Sequence, residues 1–293
     1  MTEVSVIMPC FNHAIYIEKS IFSVIDQSFE DFELIIVDDC SSDGSRDIIE
    51  TYAKKDKRII PVFNKRNFGV SKSRNDALRL AKGNFIGFCD SDDLWEKEKL
   101  LKQINYFNLN PQYNALHSDS TIIDDSDIQT GERFSTLFQN ENILEGDLFI
   151  KLCLRNFVNT STVLLKRKCI IEAGLFEEDI KYGEDWIYWT RVSKYNLFGY
   201  IYEQLSKYRV HNKSTMYDNN GYLICRIMCY NYLLKNYNDI PRYIRSKMEY
   251  LIGVNYVSLN NNHKAKDYFL KAIATSPLNI KASIRWLSLM TNI

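Results

Sequence analysis

Short apolar runs alternate with amphipathic segments over the first hundred residues of the chain. Apolar, β-branched and aromatic runs predict buried strands, and apolar residues at a helical period predict the helices between them. The predicted strands are Val4 to Met8, Phe32 to Val37, Ile59 to Phe63 and Phe85 to Cys89, and the predicted helices are roughly Ile15 to Asp26, Gly44 to Lys54 and Val70 to Ala81. This alternation predicts an α/β fold in which helices flank a parallel sheet and ligands bind beyond the carboxyl ends of the strands.

The alternation weakens after Pro111. Two further strands are predicted at Ala115 to Ile123 and Thr162 to Lys166, two further helices at Leu94 to Leu109 and Ile187 to Tyr195, and a polar loop at Thr130 to Asn142. A long irregular stretch inside a compact domain is typical of a functional loop, and we expect this one to help cover one side of the substrate site.

From about Tyr222 the pattern is helical to the end of the sequence. Six residues there fall at the offsets of the tetratricopeptide repeat, a helix-turn-helix unit of about 34 residues. They are Gly253, Tyr256, Ala265, Phe269, Ala272 and Pro277, within a match from about 246 to 279 that has Glu249 where a large residue is usual. We predict a domain over residues 1–218 and a helical region over 219–293, while an ordinary helical bundle that fits the pattern by coincidence stays an alternative.

Composition and charge narrow the class of protein. The chain has 293 residues, of which 45% are hydrophobic, enough for one domain with a helical appendage. Lys plus Arg and Asp plus Glu both number 37, so no net basic field favours nucleic acid. Seven cysteines without a C-x-x-C pair indicate reduced thiols in the cytosol. With no signal peptide and no run near the ~18 apolar residues of a membrane span, contact with a membrane is expected only from its surface.

Acidic residues mark the ends of two predicted strands. Asp90-Ser-Asp92-Asp93 follows the fourth strand, and if strand geometry persists, Asp90 and Asp92 point the same way. Two carboxylates on one face suit Mg²⁺ or Mn²⁺ with a substrate phosphate, although an acidic turn that caps the next helix is the alternative. Asp38-Asp39 closes the second strand, where the pair could form a turn or accept hydrogen bonds from a nucleoside base.

Three further segments carry candidate chemistry. Asn67 to Asn75 opens a helix with glycine, serines and Arg74, which is typical of a diphosphate site. Gly183-Glu-Asp-Trp186 places two carboxylates before an aromatic helix, a pattern that is also usual for a solvated helix start. Tyr208-Arg-Val-His211 contains the histidine with the most suggestive context, although an isolated histidine is more often structural.

Taken in order, these motifs resemble those of the family 2 glycosyltransferases, inverting enzymes with the glycosyltransferase A (GT-A) fold. The resemblance covers about the first 215 residues and excludes the C-terminal helices. It rests on Val4 to Asn12, Val37 to Gly44, Asn67 to Asn75, Asp90 to Asp93, Gly183 to Trp186 and Tyr208 to His211. The fold it implies is a mixed sheet flanked by helices, followed here by the α-helical C-terminal region.

The resemblance implies a role for each matching residue. Asp39 would accept from the uracil N3–H of a UDP-sugar, with Pro9 and Phe11 beside the base, and Arg74 would face the diphosphate. Asp90, with its neighbour Ser91, would lie near the ribose or the metal. Asp92 would bind a Mn²⁺ or Mg²⁺ ion whose shell His211 could complete, and Asp185 would be the general base.

The resemblance also implies a bacterial enzyme of polysaccharide biosynthesis. It would act in the cytoplasm, with peripheral contact to the inner face of the cell membrane as an open option, and would move a hexosyl or N-acetylhexosaminyl group. The acceptor would be a glycan, a lipid-linked sugar or a polymer, and the C-terminal helices could form a homo-oligomer. Two rivals are a sugar-phosphate nucleotidyltransferase, whose glycine-rich basic loop is not found at Pro9 to Asn12, and an inactive scaffold, against which the intact Asp39, Asp92 and Asp185 argue.

Overall fold

The computed structural model describes residues 2–138, 144–211 and 219–291. The chain forms two compact units. The first combines Met1–Leu148 with Phe157–Val210, and the second combines Phe149–Asn156 with His211–Ile293. The first unit is α/β, and the second is helical.

The elements follow one another in this order: β1 Val4–Cys10, α1 Ile17–Ile25, β2 Phe32–Asp38, α2 Ser45–Lys55, β3 Ile59–Phe63, α3 Val70–Leu80, β4 Phe85–Phe88, β5 Leu94–Trp95, α4 Lys99–Leu109, β6 Ala115–Ile123, β7 Gln129–Arg133, α5 Phe149–Leu152, β8 Leu164–Lys166, α6 Arg167–Ala173, α7 Glu184–Tyr195, β9 Phe198–Arg209, α8 Asn219–Asn236, α9 Arg242–Ser258, α10 Asn262–Thr275 and α11 Ile280–Thr291. Short 3₁₀ helices span Phe134–Phe138 and Thr160–Thr162.

The strands of the described chain form one mixed sheet. Its order is β3-β2-β1-β4-β8-β6-β9-β5, with β7 paired to β6. The first four strands in the chain are mutually parallel, as their alternation with helices predicts. β8 runs antiparallel to β4 and β6, and β5 runs antiparallel to β9. The first unit therefore has the predicted mixed sheet of the GT-A fold.

The central parallel strands β1 and β2 are buried on both faces, which their apolar sequences explain. Every residue of β1 and β2 is buried. α1 covers the sheet with Ile17, Ile21 and Val24, whose spacing places them on one side of the helix. These buried strands fix the positions of the loops at their carboxyl ends, where the candidate residues lie.

Two local predictions are wrong, and one strand is missed. Leu94 and Trp95 do not begin a helix, because they pair with Lys207 and Ser206 of β9. The polar segment predicted as a loop from Thr130 contains most of β7 and a 3₁₀ helix, and its end at 139–142 lies outside the described residues. β9 was not predicted at all.

The second unit packs helices pairwise. In the pairing of α9 with α10, Gly253 lies against Phe269, and a Cβ atom at Gly253 would come within 2.5 Å of the Phe269 ring. Ser246 Oγ donates to the carbonyl oxygen of Ala272 at 2.7 Å, and Asn279 Nδ2 donates to Ser246 Oγ at 2.9 Å. Residues within the tetratricopeptide-like segment thus join α9 to α10 and to the turn that follows α10.

Candidate active site at the carboxyl ends of the parallel strands

The loops after β1 and β2 are tied to each other. The backbone N–H of Asn12 donates to Ser41 Oγ at 2.9 Å, and Ser42 N donates to Asn12 Oδ1 at 2.8 Å. The N–H of His13 donates to Ser45 Oγ at 3.0 Å. Pro9 is buried in β1, and Phe11 is exposed at the start of this loop. Hydrogen bonds between the two loops therefore hold the segment that contains Phe11, one of the predicted contacts of the base.

Asp39 is buried and organises the loop before α3. Its carboxylate accepts from Asn64 Nδ2 at 2.7 Å, from the N–H of Phe68 at 3.0 Å and from the N–H of Gly69 at 2.7 Å. One oxygen of the adjacent Asp38 is buried and makes no hydrogen bond with the described residues. The uracil contact of Asp39 stays a prediction, and a nucleoside bound there would meet a carboxylate that already accepts from the chain.

Asp90 to Asp93 form a turn rather than an extension of β4. The N–H of Asp93 donates to the carbonyl oxygen of Asp90 at 3.0 Å, and β4 ends at Phe88. The condition that strand geometry persists is therefore not met. Ser91 is buried within this turn, and its Oγ lies 2.7 Å from His13 Nδ1, while Asp92 is partly exposed.

Buried hydrogen bonds fix this turn from below. Asp93 Oδ2 accepts from Ser161 Oγ at 2.5 Å, and Asp93 Oδ1 accepts from the N–H of Arg209 at 2.9 Å. The Arg209 guanidinium donates to the carbonyl oxygen of Asp92 at 2.7 Å and to Asp127 Oδ1 at 2.5 Å. Because Arg209 and Asp93 are almost fully buried, they hold the backbone of Asp92 in one position.

Arg74 lies buried between two carboxylates. Its Nη2 donates to Asp90 Oδ1 at 2.7 Å, and its Nη1 donates to Glu184 Oε1 at 2.8 Å. These two ion pairs raise the pKa of the guanidinium further above its ordinary value, against the opposing effect of burial. The structure thus joins three sequence motifs through one side chain, and the predicted contact of Arg74 with a diphosphate stays a prediction.

Asp185 stands next to this network at the start of α7. Burial, followed by the negative charge of Glu184, raises the pKa of Asp185 to about 7, while Arg74 acts in the opposite direction. Thr160 Oγ1 donates to Asp185 Oδ2 at 3.5 Å. A carboxyl group with a pKa near neutrality is suited to taking up a proton at physiological pH.

A three-residue group could hold a metal ion. His13, Asp92 and His211 each offer one ligand atom, and these atoms lie within 4.8 Å of one another. His211 is buried and directly follows Val210, whose N–H donates to the carbonyl oxygen of Ile123 at 2.9 Å. Two imidazoles and a carboxylate are a donor set that suits Mn²⁺ and other first-row divalent ions better than Mg²⁺.

Sequence reasoning missed two of these residues. His13 lies three residues beyond β1, and its proximity to the late histidine is a long-range feature that no local motif contains. Arg209 is the arginine of the Tyr208 to His211 motif, so its sequence context was noted, but the buried carboxylate and carbonyl groups that it binds come from distant segments.

The family model for Glycosyl transferase family 2 matches residues 5–169. Among relatives, TuaG of Bacillus subtilis, named as a teichuronic acid biosynthesis glycosyltransferase, is 50% identical over 103 residues, which cover 35% of this chain and 41% of TuaG. An uncharacterized glycosyltransferase of Haemophilus influenzae is 31% identical over 220 residues, which cover 72% of this chain and 67% of that protein. The match thus spans less than half the length of TuaG.

Solved structures share the fold at low sequence identity. S. aureus TarS 1-349 in complex with UDP-GlcNAc has a TM-score of 0.64 at 18% identity, covering 93% of this chain and 81% of that one. The mannosyltransferase PcManGT from Pyrobaculum calidifontis, in complex with GDP-Man and Mn²⁺, has a TM-score of 0.65 at 17% identity, covering 99% and 81%.

Proposed function

The chain belongs to glycosyltransferase family 2, and on that basis we propose that it transfers a sugar from a UDP-sugar to a hydroxyl group of a glycan or surface-polymer acceptor with inversion at the anomeric carbon. Asp185 would be the general base and Asp92 a ligand of a divalent metal. The observation that carries the proposal is that Arg74 joins Asp90, in the turn that bears the candidate metal ligand Asp92, to Glu184, the neighbour of the near-neutral Asp185.

Inversion requires one base on the acceptor side. The acceptor oxygen would attack the anomeric carbon as Asp185 takes up its proton, while the bond from that carbon to the diphosphate oxygen breaks and the nucleoside diphosphate leaves. With its pKa raised to about 7, Asp185 would be ionised in part at neutral pH and able to accept that proton. The nearby Glu184 keeps its own carboxylate on Arg74, so the two neighbours have separate tasks.

The metal ligands fit a divalent cation. Asp92 supplies a carboxylate on a braced backbone, and Ser91 orients the imidazole of His13 through its Nδ1. His211 and His13 would complete the protein's share of the shell. When bound there, the ion would neutralise charge on the departing diphosphate, and the donor set suits Mn²⁺ better than Mg²⁺.

The donor is proposed from the nucleotide motifs. Asp39 would accept from uracil N3–H, with Pro9 and Phe11 beside the base, and Arg74 lies next to Asp90, the predicted ribose or metal neighbour. Structures of TarS with UDP-GlcNAc and of PcManGT with GDP-Man indicate nucleotide-sugars as the class of donor. The similarity to TuaG supports an anionic envelope polymer as the acceptor. Residues 1–218 would form the catalytic domain, and the helices beyond would serve docking to a membrane or a second copy.

The direct test is a screen of UDP- and GDP-sugars for release of the nucleoside diphosphate with Mn²⁺ present. We expect release from one or more UDP-sugars by the native chain and at least a 10²-fold lower kcat for Asp185→Asn, with donor binding nearly unchanged. Glu184→Gln is the matched control and should stay active. If Asp185→Asn were active and Glu184→Gln inactive, the assignment of the base would be reversed; no turnover of any nucleotide-sugar would overturn the proposed transfer.

A further inference from the structure

α11 presents an apolar face to solvent. Four aliphatic side chains on this helix are exposed: Ile280 by 68%, Ile284 by 60%, Leu287 by 54% and Met290 by 41%. At about 100° per residue these positions fall within an arc of about 120°. Ala282 is fully buried and lies on the opposite side, where α11 packs against α10. The side of the helix away from its packing partner is thus mostly apolar, although Ser283 also falls within this arc.

Charge is arranged along one border of this face. Lys281 and Arg285 are exposed and each directly follows an exposed isoleucine, so they line the same edge. Trp286 is half-buried near the opposite edge. The helix sequence IKASIRWLSLMT contains two basic and no acidic residues. An apolar face with a basic border and a tryptophan is typical of a helix that lies in the interface of a membrane.

The surrounding sequence has the same sign of charge. Residues 219–293 contain ten Lys or Arg and three Asp or Glu, although the whole chain is neutral. On α10, Lys264 and Lys271 are also exposed. A second copy packed antiparallel on α11 would bring two basic borders together, which disfavours self-association in that orientation. An anionic surface complements both the charge and the apolar face.

We propose that α11 is an interfacial helix that inserts the side chains of Ile280, Ile284, Leu287 and Met290 at the headgroup boundary of an anionic membrane. Lys281 and Arg285 would contact lipid phosphates at the edge of the inserted face. None of the helices in the described chain is both long and apolar enough to cross a bilayer, so this contact is peripheral. The proposal does not depend on sugar transfer, and its failure would leave the proposed function untouched.

The test is co-sedimentation of the full chain with vesicles of pure phosphatidylcholine or of phosphatidylcholine with about 30% phosphatidylglycerol. We expect binding to the anionic vesicles only and its loss in about 0.5 M salt. Lys281→Gln with Arg285→Gln should weaken binding about tenfold or more, since each basic residue near an anionic surface contributes about fivefold. Ile280→Ser with Ile284→Ser should weaken it by a similar factor.

A matched control removes one exposed charge and one exposed isoleucine from α6 of the other unit, as Lys168→Gln with Ile171→Ser, and should bind vesicles like the native chain. Trp286 should show a blue shift of fluorescence on anionic vesicles that is absent in Trp286→Phe. Unchanged binding by the α11 variants would overturn the proposal. So would a concentration-dependent dimer that Ile280→Ser with Ile284→Ser abolishes, because the face would then belong to a second copy.

Discussion

Glu184→Gln should move the pH dependence of sugar transfer without abolishing it. Asp185 must be ionised to accept a proton, and its pKa is raised to about 7 by burial and then by the charge of Glu184. The substitution removes that negative charge but keeps a side-chain oxygen that can accept a hydrogen bond from Arg74 Nη1. In the native protein this donor lies 2.8 Å from Glu184 Oε1. Asp90 and Tyr208 also interact electrostatically with Asp185, and neither is altered.

The size of the shift follows from the geometry. Carboxylates of adjacent helical residues are on the order of 7 Å apart, and at an effective dielectric constant of about 20 to 40 their repulsion is about 1 to 2 kcal/mol, or about one pKa unit. The Glu184 side chain is only 12% exposed, so solvent screens little of this repulsion. Removing it stabilises the ionised Asp185, so the pKa should fall from about 7 to about 6.

The assay is kcat/KM for the UDP-sugar between about pH 5 and 9 at saturating Mn²⁺. At pH 6 the native enzyme should retain about a tenth of its plateau and Glu184→Gln about half of its own plateau, with the plateau itself lowered severalfold because a weaker base accepts the proton. Glu50→Gln removes a charge on the distant α2 and should leave the acidic limb near pH 7. If the acidic limb of the curve of kcat/KM against pH stayed in place in Glu184→Gln, or moved to higher pH, the assignment of Asp185 as the titrating base would be refuted.

Three further outcomes are expected. Asp92→Ala should abolish transfer with little change in melting temperature, and excess chelator should abolish transfer by the native protein. Asp93→Ala should lower the melting temperature by several degrees, because Ser161 Oγ and the N–H of Arg209 would lose their buried acceptor. Asp185→Asn should be more stable than the native protein at pH 8 and equal to it near pH 4, as unfolding measured at each pH would show. Because the pKa of Asp185 is raised in the folded state, the folded protein keeps a proton that the unfolded chain releases between about pH 4 and 7. The stability of the native protein therefore falls as pH rises through that window. Gly253→Ala should destabilise the helical unit by about 1 to 3 kcal/mol through the clash with Phe269, measured by denaturant unfolding, and unchanged stability would contradict the packing described for α9 and α10.

The parallel half of the fold is predictable because its strands are continuous apolar runs and its helices have a clear period. β9 is not, because its pairing with β6 shifts register between Ile201 and Ser206, which breaks the alternation that marks a strand. Leu94 and Trp95 form a strand only through their pairing with β9. Their residues also suit the start of a helix, so local propensity could not decide between the two.

The site shows the same division. Motif order identifies Asp39, Asp92 and Asp185 as candidates, because each lies in a short segment with a recognisable neighbourhood. The environment that sets the pKa of Asp185 includes Arg74, which opposes the upward shift and lies more than a hundred residues away in the sequence. The inclusion of His13 with Asp92 likewise depends on how the loops after β1 and β4 meet, which no local pattern encodes.

The hydrogen bonds that Asp39 accepts from the loop at 64–69 have a consequence for how the enzyme would choose its nucleotide. A base that offers an N–H to Asp39 would replace a donor from the chain. The number of hydrogen bonds that the carboxylate accepts would hardly change, so the gain in affinity is small. A base that offers an acceptor atom at the same place would be repelled by the carboxylate oxygens. Because Asp39 is buried, its carboxylate could not turn away to relieve this repulsion. Asp39 would then act as a filter that rejects wrong bases rather than as an anchor that holds the right one.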